Sequence, residues 1–362
     1  MKRLRTVVIG CGKVAGIHAE ALRDAPESEL VGFCDRDVAR AEAFAKKFGG
    51  RAFADLNEML REARPEAVVI CTPHPLHVDA CEEAAAAGAH VLVEKPMAAS
   101  LADCDRMIDA AENAGVRLGV ISQRRFYEPV KRMKAAIDGG KIGSPVLGVF
   151  QMYSWRDEAY YASDPWRGTW EGEGGGVLVN QSPHQLDLLQ WLMGPIEEVS
   201  GYWANVNHPS VEVDDTAVAT IRFKSGGLGA IVTSVSQKPG IYTKVHIHGS
   251  NGASVGVETD SGATFVAGVS GEVDDPPVND VWTVPGEDHL LAEFEAEDRR
   301  LAKERSVTKY YHAEQIREFL QAAIAGREPL VTGRDGRIVV EMAQAIYRSQ
   351  ETGRPVKFPL RS

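Results

Sequence analysis

Thr6-Val7-Val8-Ile9-Gly10-Cys11-Gly12-Lys13-Val14-Ala15-Gly16 is the stretch that decides how this chain folds. Val7-Val8-Ile9 reads as a short buried strand, and the glycine that ends it opens a G-x-G-x-x-A pattern with Gly10, Gly12 and Ala15 in the small positions. Gly10 permits a tight turn, Gly12 lets backbone approach a pyrophosphate, and Ala15 lets helix and strand pack closely. A helix over 14–23 then offers its N-terminal N–H groups to phosphate oxygens. The loop, Lys13 and Val14 included, reads as the phosphate cradle of a dinucleotide.

Downstream, strand and helix signals alternate. Leu30-Val31-Gly32-Phe33-Cys34 ends in Asp35, where a dinucleotide fold places the acid that binds the adenosine ribose. An acid there favours NAD, and Arg36 beside it leaves NADP open. A helix over 38–48, a strand through Ala52-Phe53 and a buried strand over 67–70 lead to Cys71-Thr72-Pro73. Thr72 and Pro73, with His77 just beyond, are expected on the cofactor side, Thr72 and Pro73 beside the nicotinamide ribose. An alanine-rich helix over 80–87 closes at Gly88 and leads to Ala89-His90-Val91-Leu92-Val93-Glu94-Lys95-Pro96. Here an apolar strand stops abruptly at an ion pair and a proline, which delivers Lys95 to the rim of the sheet, with Glu94 at its side. A helix over 101–114 and a strand over 117–120 complete a doubly wound, parallel α/β Rossmann domain over 1–123.

Past Gln123 the texture changes. A helix over 129–137 precedes alternating segments over 146–152, 199–206, 216–223, 228–236 and 244–248, with hairpin signals at Lys224-Ser225-Gly226-Gly227 and Ser250-Asn251-Gly252. This predicts a second, α+β domain over 124–362, built on an open and mostly antiparallel sheet. A charged helix over 287–305 carries Leu290, Leu291, Phe294 and Leu301 on one side. Helices over 313–325 and 336–351 follow, in a region (about 313–352) that could pack back on the first domain, and a short strand closes the chain. An open sheet face has to be covered, so a homodimer or homotetramer through this sheet is expected.

At 362 residues the chain exceeds what one core organises. Its net charge of −11 argues against nucleic acid and anionic membranes as partners. The first residues lack the apolar core of a signal peptide, and no apolar run approaches membrane-spanning length. Five cysteines without a C-x-x-C pair indicate neither a disulfide framework nor a metal site, and a reducing cytoplasm fits them.

A second constellation lies in Gly174-Gly175-Gly176-Val177-Leu178-Val179-Asn180-Gln181-Ser182-Pro183-His184. Asn180 and His184 are four apart, which on a helix puts them on one face, and a histidine is the usual acceptor of a hydroxyl proton. Between the motifs, Tyr153, Trp155, Arg156, Tyr161, Trp166 and Arg167 form an aromatic and basic stretch suited to stacking on sugar rings and donating hydrogen bonds.

Together the glycine loop, Glu94-Lys95-Pro96 and the glycine run before His184 resemble the Gfo/Idh/MocA oxidoreductases, and Tyr311-His312-Ala313-Glu314 and Gly353-Arg354-Pro355-Val356 extend the resemblance to the end of the chain. The resemblance implies NAD(P), a sugar, polyol or glycoside substrate, and Lys95 and His184 as a catalytic pair. Many members carry aspartate four residues before the histidine; Asn180 stands there in this chain, and an amide cannot relay a proton. Asn180 is counted with the catalytic pair, as an amide that orients His184 or a substrate hydroxyl, and Asn180 and Gln181 are expected to bind substrate. The expected chemistry is hydride transfer between nicotinamide and a hydroxyl-bearing carbon. Two rival readings are an NAD-dependent glycosidase working by transient oxidation and elimination, and a cofactor-binding protein without catalysis.

Overall fold

A computed structural model describes residues 2–260 and 276–360. The chain forms two compact units, Met1–Gln123 with Thr308–Val340, and Arg124–Val307 with Glu341–Arg361.

The first unit holds six parallel strands: β1 (Leu4–Ile9), β2 (Ser28–Cys34), β3 (Arg51–Phe53), β4 (Ala67–Ile70), β5 (His90–Val93) and β6 (Leu118–Val120), in the order β3-β2-β1-β4-β5-β6. Their apolar runs are buried on both faces; Val7, Val8, Val68, Val91 and Val93 are wholly inaccessible. The chain winds to one side of β1 and then, from β4 on, to the other, so the strand order reverses between β1 and β4, where such sheets bind ligands. Gly10 sits there at φ +88°, and a Cβ on it would lie 2.8 Å from the backbone of Cys71 and Thr72, so only glycine allows β1 to turn beside the end of β4. A helix over Leu56–Ala63, unread in the sequence, fills the link from β3 to β4; Asp55 caps it by accepting from the Glu58 N–H at 2.8 Å.

The outer edge of β6 is closed by residues far along the chain. The helix Val307–Ala325 sends Ile316, Phe319 and Leu320 into the core, and its Gln315 accepts from the Ser122 N–H (2.9 Å) while donating to the Val120 carbonyl (2.8 Å). Gly119 leaves room for the Phe319 ring, 2.9 Å from where a Cβ would be. A side-chain amide thus satisfies backbone groups that an edge strand leaves open.

In the second unit, β7 (Pro145–Tyr153), β8 (Ile196–Ala204), β9 (Thr216–Phe223), β10 (Leu228–Ser234), β11 (Tyr242–Gly249), β12 (Ser254–Asp260), β13 (Val278–Trp282) and β14 (Val356–Lys357) form one sheet in the order β13-β12-β11-β7-β10-β9-β8-β14. Only β7 and β10 pair in parallel. The turn at Ser250-Asn251-Gly252 makes a hairpin of β11 and β12. Strands β12 and β13 are additions to the sequence reading; little in their composition separates them from loop. Inward residues Phe150, Phe223, Ile231, Val245 and Ile247 are fully buried, whereas on the other face Tyr202, Val218 and Leu228 are 76%, 47% and 52% exposed. The helix Pro183–Met193 lies on the inner face so close to β7 that a Cβ on Gly148 would meet Met193 Cγ at 2.7 Å. The helix Leu290–Glu304 is held by charge as well as by its apolar side: Asp298, its one buried residue, pairs with Arg132 at 2.8 Å, and Phe294 rests edge-on against Trp282. Among the described residues no helix is long and apolar enough to cross a membrane.

Candidate active site

Four expected cofactor positions lie at the carboxyl ends of four adjoining strands: Asp35 after β2, Gly10 after β1, Thr72 after β4 and Lys95 after β5. Asp35 accepts from the Cys11 N–H through Oδ2 (2.8 Å) and from the Asp37 N–H through Oδ1 (2.9 Å), which ties the second strand end to the glycine loop. Its neighbour Arg36 is exposed, as is Lys13. Three observations fit a dinucleotide. A Cβ on Gly12 would meet nothing within 4 Å, so the space over the loop is open. The helix Ala15–Asp24 begins at Val14 with no side-chain cap and no acid in its first turn, leaving its N–H groups and positive dipole end for an anion. The Thr72 hydroxyl is buried without a hydrogen-bond partner, beside Pro73.

Two of the residues assigned to the cofactor prove to be supports. His77 is wholly buried, with Nε2 2.8 Å from the Thr72 carbonyl and Nδ1 3.1 Å from that of Met97, so it braces the backbone of both strand ends instead of reaching outward. Glu94 is 7% exposed; Oε1 meets His18 Nε2 at 2.6 Å and Oε2 accepts from the Lys95 N–H at 3.0 Å. Burial alone would raise the Glu94 pKa, but the hydrogen bond and charge of His18 hold it far below the usual carboxylate range. His312 stands edge-on to His18 at 5.6 Å and donates from Nδ1 to the Thr308 carbonyl at 2.7 Å; burial and the neighbouring His18 push its pKa down to about 4. Nitrogen and oxygen atoms of His18, Glu94 and His312 lie within 4.8 Å of one another. However, the 2.6 Å approach of His18 to Glu94 is a hydrogen-bond distance, shorter than the roughly 3.3 Å between two ligands of a tetrahedral zinc ion. The trio is better described as an anchor for the turn that carries Lys95, itself half-buried.

In the second unit the glycine run is explained by Asp214. Oδ1 of this buried carboxylate accepts from the Gly176 N–H (2.7 Å) and the Tyr347 hydroxyl (2.6 Å), Oδ2 from the Leu178 N–H (3.1 Å), and its carbonyl from the Val177 N–H (2.8 Å). A side chain on Gly176 would overlap the Asp214 carbonyl, and one on Gly175 the Tyr347 hydroxyl. So gathered, Val177–Gln181 forms a wide turn closed by the Ser182 N–H on the Val177 carbonyl at 2.9 Å, and the α-helix starts only at Pro183. Such five-residue turns within helices recur at functional sites. The interval from Asn180 to His184 therefore crosses a junction between two helical geometries, which corrects the expectation of one straight face.

Asn180 donates through Nδ2 to the Tyr160 hydroxyl (2.9 Å) and to Glu173, whose other oxygen accepts from the Gly168 N–H at 2.7 Å. Arg167 and Gln181 also reach the Tyr160 hydroxyl, at 2.6 and 2.9 Å. Burial pushes the Glu173 carboxyl up to about 7; the Gly168 and Asn180 hydrogen bonds and the Arg167 charge oppose this, and Asp214 adds to it. The acid that Asn180 itself lacks is thus supplied seven residues upstream, on a residue no sequence signal marked.

His208 and Asp215 were missed for the same reason, whereas Tyr160 stands inside the aromatic stretch without being singled out there. His208 bridges Asp215 Oδ2 (2.8 Å) and the Arg156 carbonyl (2.7 Å), and the rings of Trp155 and Tyr161 pack on it at 5.5 and 5.3 Å. Arg156 and Arg167 lie over the Tyr160 ring, and Arg167 also over Trp166. Most of the predicted substrate residues thus form one connected cluster. Tyr153 packs instead on Tyr242, across from it on β11.

Comparison with known proteins places this geometry. Residues 4–122 match the model of an oxidoreductase family with an NAD-binding Rossmann fold, and residues 134–358 match that family's C-terminal alpha/beta domain. Myo-inositol 2-dehydrogenase of Thermotoga maritima is 30% identical over 98% of both chains. The scyllo-inositol 2-dehydrogenase (NAD(+)) of Bacillus subtilis is 26% identical over 99% of this chain and 97% of its own. Among solved structures, the WlbA dehydrogenase of Bordetella pertussis, in complex with NADH and UDP-GlcNAcA, superposes with a TM-score of 0.83 at 29% identity, covering 99% of this chain and 100% of that one. With both of its domains matched along nearly its whole length, the chain belongs to the Gfo/Idh/MocA family of NAD-binding oxidoreductases.

Proposed function

We propose that this protein is a dehydrogenase in which Lys95 and His184 act on one CH–OH group of a sugar or polyol. When bound, NAD supplies the hydride acceptor. The chain's own residues do the rest. The glycine loop and the helix N-terminus hold the pyrophosphate, and Asp35 selects the unphosphorylated ribose. His184 takes the hydroxyl proton on oxidation and returns it on reduction. Lys95 donates to the same oxygen and stabilises its developing negative charge. Asn180, anchored by Tyr160 and Glu173, orients the hydroxyl.

The observation that carries this reading is the treatment of Lys95. A buried Glu94–His18 pair fixes its backbone at the strand end adjoining the one beside the glycine loop, which a merely solvated surface lysine would not require. We further propose that a second copy of the chain covers the sheet face bearing Tyr202, Val218 and Leu228, and that the five buried, unbridged cysteines reflect a reducing cytoplasm.

The test is reduction of NAD and NADP, followed by absorbance, over a panel of monosaccharides, glycosides and inositols. Lys95→Ala should lower kcat by at least about 100-fold with NAD binding nearly intact. Turnover close to that of the unaltered protein would remove Lys95 from the mechanism. Release of an aglycone without a steady rise in reduced cofactor would instead identify a glycosidase.

A further inference from the structure

Three arginines of the described chain are buried: Arg124, Arg125 and Arg156, at 8%, 1% and 6% exposure. Arg124 pairs with Asp260 at 3.1 Å and Arg125 with Asp187 at 2.5 Å. Arg156 differs. Among the described residues no carboxylate lies within ion-pair distance of it; Nη1 donates to the neighbouring Trp155 carbonyl at 2.8 Å, and Nε is buried with no partner at all. A guanidinium keeps its charge and offers five in-plane N–H donors, and burying such a charge without a counter-charge is strongly unfavourable. The guanidinium carbon also lies 5.2 Å from the centre of the Tyr160 ring, a contact that supplies no counter-charge and leaves Nε without an acceptor.

The nearby carboxylates are committed elsewhere. Glu173 accepts from Asn180 and the Gly168 N–H; Asp215 accepts from His208 and the N–H groups of Val206 and Asn207. Arg167, the other guanidinium over Tyr160, has Asp164 at 3.3 Å. Arg156 is also close to the chemistry: the Tyr160 ring it covers is the one whose hydroxyl holds Asn180 and Gln181.

We infer that Arg156 is the binding site for an oxyanion on the substrate, so that the sugar or polyol oxidised here carries a carboxylate or a phosphate. This rests on the dehydrogenase reading and narrows its substrate class. The substrate's anion would supply the counter-charge that the fold withholds, and a neutral sugar would leave Arg156 unpaired in the complex.

The experiment compares D-glucuronate, D-glucose 6-phosphate and D-glucose as substrates with NAD, for the unaltered protein, Arg156→Gln and Arg156→Lys. One acid should exceed glucose in kcat/KM by about 30-fold or more, the loss typical when one partner of a buried charge pair is absent. Which acid does so tells carboxylate from phosphate. Arg156→Gln should bring the acid-to-neutral ratio near one, and Arg156→Lys, which keeps the charge, should retain part of it; tryptophan-fluorescence melts report that both variants fold. Glucose turned over as well as both acids, or a ratio unmoved in Arg156→Gln, overturns the inference while leaving the dehydrogenase reading intact. If none of the three reduces NAD, thermal shifts with NAD plus each sugar decide: stabilisation by an acid but not glucose, lost in Arg156→Gln, keeps the anion site, and no shift with either acid overturns it, while the dehydrogenase reading is judged separately on the wider sugar and inositol panel.

Discussion

Replacing Asp187 by asparagine should unfold the second unit more readily than any surface change. Asp187 and Arg125 are 2% and 1% exposed and meet through two contacts, Nε to Oδ2 at 2.8 Å and Nη2 to Oδ1 at 2.5 Å, with the guanidinium also 4.8 Å over Trp191. Asp187 lies on the helix Pro183–Met193, one turn beyond His184, so the pair fixes the helix that presents the histidine. Asn keeps the shape and leaves Arg125 charged and buried, and breaking one side of such a pair costs about 3–5 kcal/mol. For a unit made of Arg124–Val307 and Glu341–Arg361 this corresponds to a fall in Tm of roughly 6–20 °C. The assay is unusually clean: all six tryptophans, Trp155, Trp166, Trp170, Trp191, Trp203 and Trp282, belong to this unit, so fluorescence follows its unfolding alone. Arg125→Met with Asp187→Leu removes both charges together and should cost far less than the sum of the single changes. A loss below about 1 kcal/mol in Asp187→Asn would refute the premise that this pair is desolvated and mutually dependent.

Glu173 should make the second unit less stable as pH rises. Its folded pKa of about 7 lies above the ordinary 4.5, so the fold holds a proton that the unfolded chain releases; the stability this confers is complete below pH 4.5 and lost as pH passes 7. The amount is roughly 3 kcal/mol, and Glu173→Gln should flatten that slope in fluorescence-monitored melts taken from pH 4 to pH 8. The first unit should respond oppositely. The depressed pKa of His312 contributes stability above its ordinary 6.5 that is lost as pH falls toward 4, and that of Glu94 adds a further loss below 4.5. Amide exchange should show protection in β4, β5 and Val307–Ala325 declining across that window, and His312→Leu should reduce the decline. Finally, Gly176→Ala should destabilise the second unit by about 3 kcal/mol or more and abolish turnover, because the new methyl group collides with fixed backbone at Asp214.

Much of the first unit is legible from local pattern. Val7-Val8-Ile9 before Gly10, Ala67–Ile70 before Thr72 and His90–Val93 before Lys95 each combine a short apolar run with a breaker, and those signals lie within a few residues of what they specify. The helix Leu56–Ala63 went unread although Asp55 and Glu58 mark its start and Leu56, Met59, Leu60 and Ala63 recur at helical spacing, because eight residues make only about two turns of that pattern. Strands β12 and β13 gain their identity from pairing with β11 and with each other, which composition does not reveal.

The sequence by itself determined the dinucleotide fold, the positions of Lys95 and His184, and the alternation of the second sheet, since each depends on covalent neighbours and on period. Tertiary structure alone decided what stands behind those residues. His312 completes the anchor at Glu94 from the far end of the chain; Asp214 folds the glycine run into a wide turn that parts Asn180 from the helix of His184; Glu173 brings a carboxylate to an asparagine; and Arg156 is left without one. The physical reason is that charge compensation and desolvation are set by whatever surrounds a group in space, and burial turns those distant partners into the strongest local terms.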